Sequence, residues 1–201
     1  MITFHVTDLD SLIWYYKLEN MSVDDMRSRI LRTGEANEKM AMGTAWHKIL
    51  EDPPDELITV EMDGYTFNIK CDAEIQLPQT REIRSTKKYL IDGEEVILTG
   101  GCDGISGIKI TDHKLTFREN TETYFDSYQW RAYLDIYNAS IFEYWLYSAT
   151  QKSNEITINN ISSIKMFRYP EMIKDLEDGI RNLLNFVKEY VPEHISKAQS
   201  N

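Results

Sequence analysis

The stretch Leu98–Thr116, LTGGCDGISGIKITDHKLT, reads as two strands joined by a turn, yet it carries two aspartates and a lysine where apolar side chains would bury more readily. Residues two apart in a strand share a face, so Asp112 and Lys114 of ITDHK project together while His113 points the other way. Asp103 stands nine positions before Asp112, a spacing that suits a hairpin partner able to bring its carboxylate beside them. Gly100, Gly101 and Gly104 flank Asp103 and let the backbone come close there without side-chain bulk. Two carboxylates in one small volume raise each other's pKa unless a cation neutralises them.

Oxygen ligands favour a hard ion, Mg²⁺ or Mn²⁺, with phosphate oxygens and waters completing the shell. A lysine beside such an ion has its own pKa pushed down, and can act on a water or on charge developing at a phosphate. The chemistry implied is metal-assisted hydrolysis of a phosphodiester. The plainer alternative, a surface hairpin with an Asp–Lys cross-strand pair, stays open on this stretch alone.

Outward from the hairpin, GTAWHKILE predicts a helix over about Gly43–Glu51 that carries His47 beside the apolar Trp46, Ile49 and Leu50, closed by Pro53 and Pro54. A lone helical histidine is more often a core or surface residue than a ligand, although imidazole suits Mn²⁺. Downstream, FDSYQWRAYLDIYNAS predicts a helix over Phe125–Ser140, capped by Asp126 or Ser127, on which Gln129 and Tyr133 share one face. Its aromatic content suits core packing, and equally the stacking of bases.

Thr7 or Asp8 is expected to cap a first helix, and Ser22, three residues before Asp25, a second. From Leu57 to Thr116 the β-branched and aromatic alternation, punctuated by MDGY and IDGE turns, predicts an antiparallel meander with a polar excursion near Pro78–Lys88. Two strands, FEYWLYSA and ITINNISSIKMFRY, follow. An amphipathic helix over roughly Pro170–Lys197 covers the core and is ended or kinked at Pro192. The order of elements predicts an α/β (α+β) protein, a mixed central β-sheet flanked by helices, as one domain over 1–201.

The 42% hydrophobic and 27% charged fractions are those of an ordinary globule, and no stretch approaches the roughly 18 apolar residues of a membrane span. With no signal-peptide pattern, the expected location is cytoplasmic. Cys71 and Cys102 form neither a CxxC nor a Cys/His cluster, so no iron–sulfur cluster is expected. The net charge of −11 argues against unspecific coating of nucleic acid, so DNA contacts must be local. Basic residues cluster in MRSRILR and in TREIRSTKKY, where Arg81, Arg84, Lys87 and Lys88 are candidate DNA contacts, or else a solvated face.

Taken in order, GTAWHKILE, LTGGCDG, ITDHK and QWRAY resemble the RecB-like branch of the PD-(D/E)XK nuclease superfamily, over about Gly43–Tyr133. The resemblance implies a restriction-endonuclease-like core and a Mg²⁺- or Mn²⁺-dependent deoxyribonuclease holding one or two ions. His47, Asp103, Asp112 and the backbone carbonyl of His113 would ligate metal. Lys114 would act with Asp103 and Asp112 in catalysis, and Gln129 and Tyr133 would position the substrate or Lys114. The cysteine set that many relatives place around this core is missing, and a helicase motor does not fit the length. The resemblance thus implies a stand-alone exonuclease of phage or mobile-element type in the bacterial cytosol. Its partners would be linear DNA ends and a single-strand annealing or recombination protein, with no membrane. A homo-oligomer, with a basic lumen inside an acidic exterior, is compatible with the charge. The competing expectation is a nuclease-fold protein that binds nucleic acid or a partner without cutting, and a third is an acidic mimic of DNA.

Overall fold

The computed structural model describes residues 1–17, 21–34, 37–55, 57–71, 75, 77–118 and 120–199. Among these the chain runs β1 Ile2–His5, α1 Val6–Lys17, α2 Val23–Leu31, α3 Glu38–Glu51, β2 Thr59–Met62, β3 Tyr65–Ile69, β4 Thr80–Ile91 and β5 Glu94–Ser106. It continues through β6 Lys109–Thr116, α4 Glu122–Asp126, α5 Tyr128–Ile136, β7 Ile141–Lys152, β8 Glu155–Phe167, α6 Met172–Tyr190 and α7 Pro192–Gln199.

Strand order among the described residues is β1-β5-β6-β7-β8-β3-β2, with β4 on the other edge of β5. The β1/β5, β6/β7 and β3/β8 pairs are parallel and the rest antiparallel, which makes the sheet mixed, as expected. Alternation along β7 divides the core. Phe142, Tyr144 and Leu146 join Phe4, Leu9, Leu98, Leu183 and Val187 under α1, α5 and α6. Trp145 and Tyr147 face the opposite side with Trp46, Ile49, Phe67, Ile156 and Ile158, the side that α3 covers. Full burial of side chains of this size stabilises by about 1.5–3 kcal/mol each, which accounts for the chain keeping strict period 2 through β7.

The continuous meander expected between Leu57 and Thr116 is instead split. Both turns form as read, with Asp63-Gly64 and Asp92-Gly93 all at positive φ, but β3 pairs with β8 and not with β4. Phe67, fully buried against the Trp46 ring at 5.4 Å between centroids, draws the first hairpin to the far edge. The presumed polar excursion at Pro78–Lys88 is largely the beginning of β4, whose polar side chains reflect its edge position. The last part of the run read as strand there, at 72–74 and 76, lies outside the described residues.

Other boundaries move for local reasons. α1 starts at Val6, and Asp8 is a buried residue of its first turn whose Oδ2 accepts from His5 N at 2.8 Å and whose Oδ1 accepts from Arg32 at 2.7 Å. α3 starts at Glu38, with Asn37 accepting from Met40 N, so Gly43 lies inside the helix. The capping box of Ser22 and Asp25 forms as read. α6 begins at Met172, its stripe of Leu176, Ile180, Leu183, Leu184 and Val187 buried while Ile173 is 36% exposed, and Pro192 opens a separate α7.

Close approach is required at Gly100, where an added Cβ would lie 2.4 Å from Cε1 of Tyr133 and 2.9 Å from Cγ2 of Val6. Gly100→Ala is therefore expected to cost about 1–3 kcal/mol. Gly101→Ala, whose nearest neighbour is the flexible Arg84 side chain at 3.3 Å, should cost less. Urea denaturation of both variants checks the ranking, and equal midpoints would refute it.

Candidate active site

The site lies where the sheet forks. Strand β5 is flanked by β1 over Val96–Thr99 and by β6 over Gly104–Ser106, leaving Gly100–Asp103 without a ladder on that side. Strand β6 keeps its full pairing with β7 through Thr116 while it diverges from β5. Asp103 bridges the mouth of the fork, accepting from the backbone N–H of His113 at 2.6 Å. The last ladder pair is Gly104 with Thr111, which brings Asp103 and Asp112 to the point where the two strands part.

Asp112 is 2% exposed, and its Oδ1 accepts from Nε2 of Gln129 at 3.0 Å. Nζ of Lys114 stands 2.8 Å from the buried Oδ2 and is that oxygen's partner. His113 turns its ring to the opposite face, Nδ1 meeting the Tyr147 hydroxyl at 2.9 Å. From that face α3 delivers His47, whose Nε2 lies 2.6 Å from the carbonyl oxygen of His113 and whose Nδ1 lies 3.4 Å from Asp103. The fork is thus the place where groups from both faces meet.

Ser127 caps α5 by accepting from Gln129 N at 3.0 Å, which sets the phase that aims Gln129 at Asp112. Tyr133, one turn on, donates to the carbonyl of Gly101 at 2.6 Å. It fastens α5 to the unpaired part of β5, rather than pointing a free phenol at the acids.

The electrostatics separate the two aspartates. Burial pushes Asp112 up to about 6; Lys114 pulls it back only in part, and Asp103 adds to the rise. Burial would raise Asp103 too, but contacts with His47, Lys114 and the His113 N–H hold it below the usual carboxylate range. Burial lowers the His113 ring to about 4. At His47 burial opposes the charge, but Asp103 outweighs it and the net shift is upward. Lys114 is likewise raised, since Asp112 and Asp103 outweigh the cost of burial. The depressed lysine expected on the sequence is the effect of a neighbouring cation, and the protein groups alone act the other way.

One acid escaped the sequence reading. Glu82 is directly opposite Asp103 in the β4/β5 register, between the pairs Arg81/Gly104 and Ile83/Cys102. Its φ of +51° is uncommon for a residue with a side chain, and such conformations concentrate at functional sites. Ligand atoms of His47, Glu82 and Asp103 lie within 4.8 Å of one another. Burial and Asp103 raise the Glu82 pKa, which marks it as a carboxylate crowded by like charge.

The donors fit a hard divalent cation: three carboxylates, a carbonyl oxygen and one imidazole nitrogen. The grouping of one imidazole and two carboxylates, His47, Glu82 and Asp103, is the feature that such an ion would satisfy. Of the basic residues on β4, Arg81 donates to the carbonyl of Leu50 at 3.1 Å and Lys87 pairs with Asp135 at 2.8 Å, while Arg84 and Lys88 are exposed.

No protein-family model matches the chain, and no curated protein does. Among solved structures the chain resembles SSO0001, at a TM-score of 0.50 and 14% identity over 90% of this chain and 76% of that one. A phage-related exonuclease from Haemophilus somnus 129PT aligns at 0.49 and 12% identity, over 85% and 81% of the two chains. LHK-Exo in complex with dAMP, an alkaline exonuclease of Laribacter hongkongensis, aligns at 0.48 and 11% identity, over 98% and 94%. At such identities the likeness is one of fold, a mixed sheet flanked by helices. No described helix is long and apolar enough to cross a membrane.

Proposed function

We propose that this protein is a Mg²⁺- or Mn²⁺-dependent deoxyribonuclease of the RecB-like, PD-(D/E)XK type. It would hydrolyse phosphodiester bonds at linear DNA ends in recombination, replication or repair of phage or mobile-element DNA. The observation that carries the reading is the fork itself: His47, Glu82 and Asp103 gather there with their ligand atoms within 4.8 Å of one another, His47 meets the His113 carbonyl, and Lys114 pairs with a buried Asp112 oxygen alongside. A solvated hairpin with a cross-strand ion pair has no reason to bury that oxygen or to recruit an imidazole from another element.

His47, Asp103, Asp112 and the His113 carbonyl would hold the ion, with Glu82 beside them; when bound, it supplies Lewis-acid polarisation of the phosphate and a water of lowered pKa. The protein's own groups do the rest. Gln129 fixes the Asp112 carboxylate, and Tyr133 anchors the helix that carries Gln129. Lys114 presents a positive charge where charge develops on a phosphate oxygen or on an attacking water. Arg84 and Lys88, exposed on the same edge strand, are the proposed local contacts to the DNA backbone.

The decisive assay gives the protein a 5′- or 3′-labelled linear duplex with Mg²⁺ and Mn²⁺, using a covalently closed circle as control. Mononucleotide release from the linear form alone supports an exonuclease, and cutting of the circle an endonuclease. DNA binding without Mn²⁺-dependent cleavage would leave only a binding protein.

Ligand assignments have their own test, independent of turnover. Asp103→Asn and Glu82→Gln should each weaken Mn²⁺ binding by about tenfold or more, read by calorimetric titration, with Glu82→Asp recovering part of the loss. Unchanged titrations would remove the altered residue from the site.

A further inference from the structure

A cavity of about 290 Å³ opens on the far side of Lys114 from His47, between α1, α4 and the first turn of α5. It shares Lys114 and Gln129 with the acidic site, so a phosphate held at Asp112 places its neighbouring group at the cavity mouth. Trp14 and Tyr124 line it, both only half-buried despite their size, with Tyr144 behind Tyr124 at 4.9 Å between ring centroids. Its polar edge is Asp10, fixed by hydrogen bonds from Ser127 Oγ and Tyr128 N, each at 2.6 Å. An ion pair between Lys17 and Asp126 ties α1 to α4 beside it.

We infer that this cavity receives the nucleoside adjoining the scissile phosphate, its base unstacked from the DNA and laid against Trp14 and Tyr124. The inference rests on the phosphodiester reading above and adds to it where the substrate's base goes. Aromatic faces accept any base, which suits digestion without sequence preference. The fixed Asp10 carboxylate offers an acceptor to an exocyclic amine or a sugar hydroxyl. The volume lies just below the roughly 300–1,000 Å³ of ligand pockets. It admits one nucleoside but not a base pair, so at least the last pair of a duplex must open before the cut. A lipid or a peptide side chain would not explain why the cavity ends on Lys114.

The test is a cycle between Trp14 and the base. Oligonucleotides carrying a tetrahydrofuran abasic residue on either side of the cut are digested in Mn²⁺ by the wild type and by Trp14→Leu and Tyr124→Leu. Loss of the base at one of the two positions, or of either aromatic ring, is expected to lower kcat/KM roughly five- to a hundredfold. Trp14→Leu should add little on the substrate already lacking that base. Equal cutting of abasic and normal ends, or penalties that multiply, would overturn the inference while leaving the nuclease reading intact. If the wild type cuts neither, that reading fails, and binding decides the cavity separately. Thymidine 5′-monophosphate titrated in Ca²⁺ should then bind at least tenfold more weakly to Trp14→Leu, with deoxyribose 5-phosphate showing no difference. Equal thymidine monophosphate affinities would remove the nucleoside from the cavity.

Discussion

Lys114→Ala is expected to lower phosphodiester cleavage by about 10³-fold or more while the protein still binds Mn²⁺. Nζ of Lys114 is the cationic group nearest Asp112 that also faces the cavity assigned to substrate. Its charge is held firmly, since Asp112 and Asp103 raise its pKa against burial. A fixed cation aimed at a phosphate acts where charge builds in the transition state, so its loss should fall on kcat rather than on metal affinity. Removing it also deprives Asp112 of a counter-ion, which shifts Asp112 further toward the protonated form. Metal titration should therefore be run across a pH series, where an affinity loss that shrinks as the pH rises is assigned to protonation of Asp112. Single-turnover rates of wild type and variant at saturating Mn²⁺ give the answer. A rate within threefold of wild type would reduce Lys114 to the counter-ion of Asp112.

The sequence made the hairpin and its face assignments legible because period 2 and two-residue turns are local properties. Asp112 and Lys114 do share a face, and His113 does turn away. The same rules contained Glu82. A two-residue turn at Asp92-Gly93 pairs Ile91 with Glu94, and that register, carried back along the strands, sets Glu82 against Asp103. Reading Pro78–Lys88 as a polar excursion stopped the register short of it. Edge strands are polar for reasons that mimic loops, which is why the misreading arose there.

The fork was not legible, because no residue encodes it alone. It arises where β1 and β6 occupy successive parts of one edge of β5, which is a matter of sheet order. The crossing of β3 to β8 was hidden for the same reason, since the burial of Phe67 under α3 settles it from more than twenty residues away. His47 was visible as a histidine on an apolar helix. Its contacts with the His113 carbonyl and with Asp103, which bring it to the acids, depend on how α3 lies on the sheet.

Asp112→Asn is expected to stabilise the metal-free protein while abolishing its response to Mn²⁺. The ordinary carboxyl pKa of 3.8 rises to about 6 in the fold. A raised carboxyl means that the native state prefers the neutral form. Below pH 4 the group is protonated whether folded or unfolded and costs nothing. Between pH 4 and 6 the wild type loses stability as the pH rises, and above 6 it carries the whole penalty. The attraction of Lys114 is already contained in that penalty; asparagine keeps the acceptor that Gln129 uses, and its amide NH2 turns Lys114 outward, where that side chain is already partly exposed. In chelator at pH 8 the variant should melt above wild type, with the difference vanishing near pH 4. Adding Mn²⁺ should raise the wild type and leave the variant where it was. A site whose acid is costly to fold and useful only when an ion arrives is the stability–function conflict expected of a metal centre. A structural Asp112–Lys114 pair predicts the opposite order of melting temperatures at pH 8.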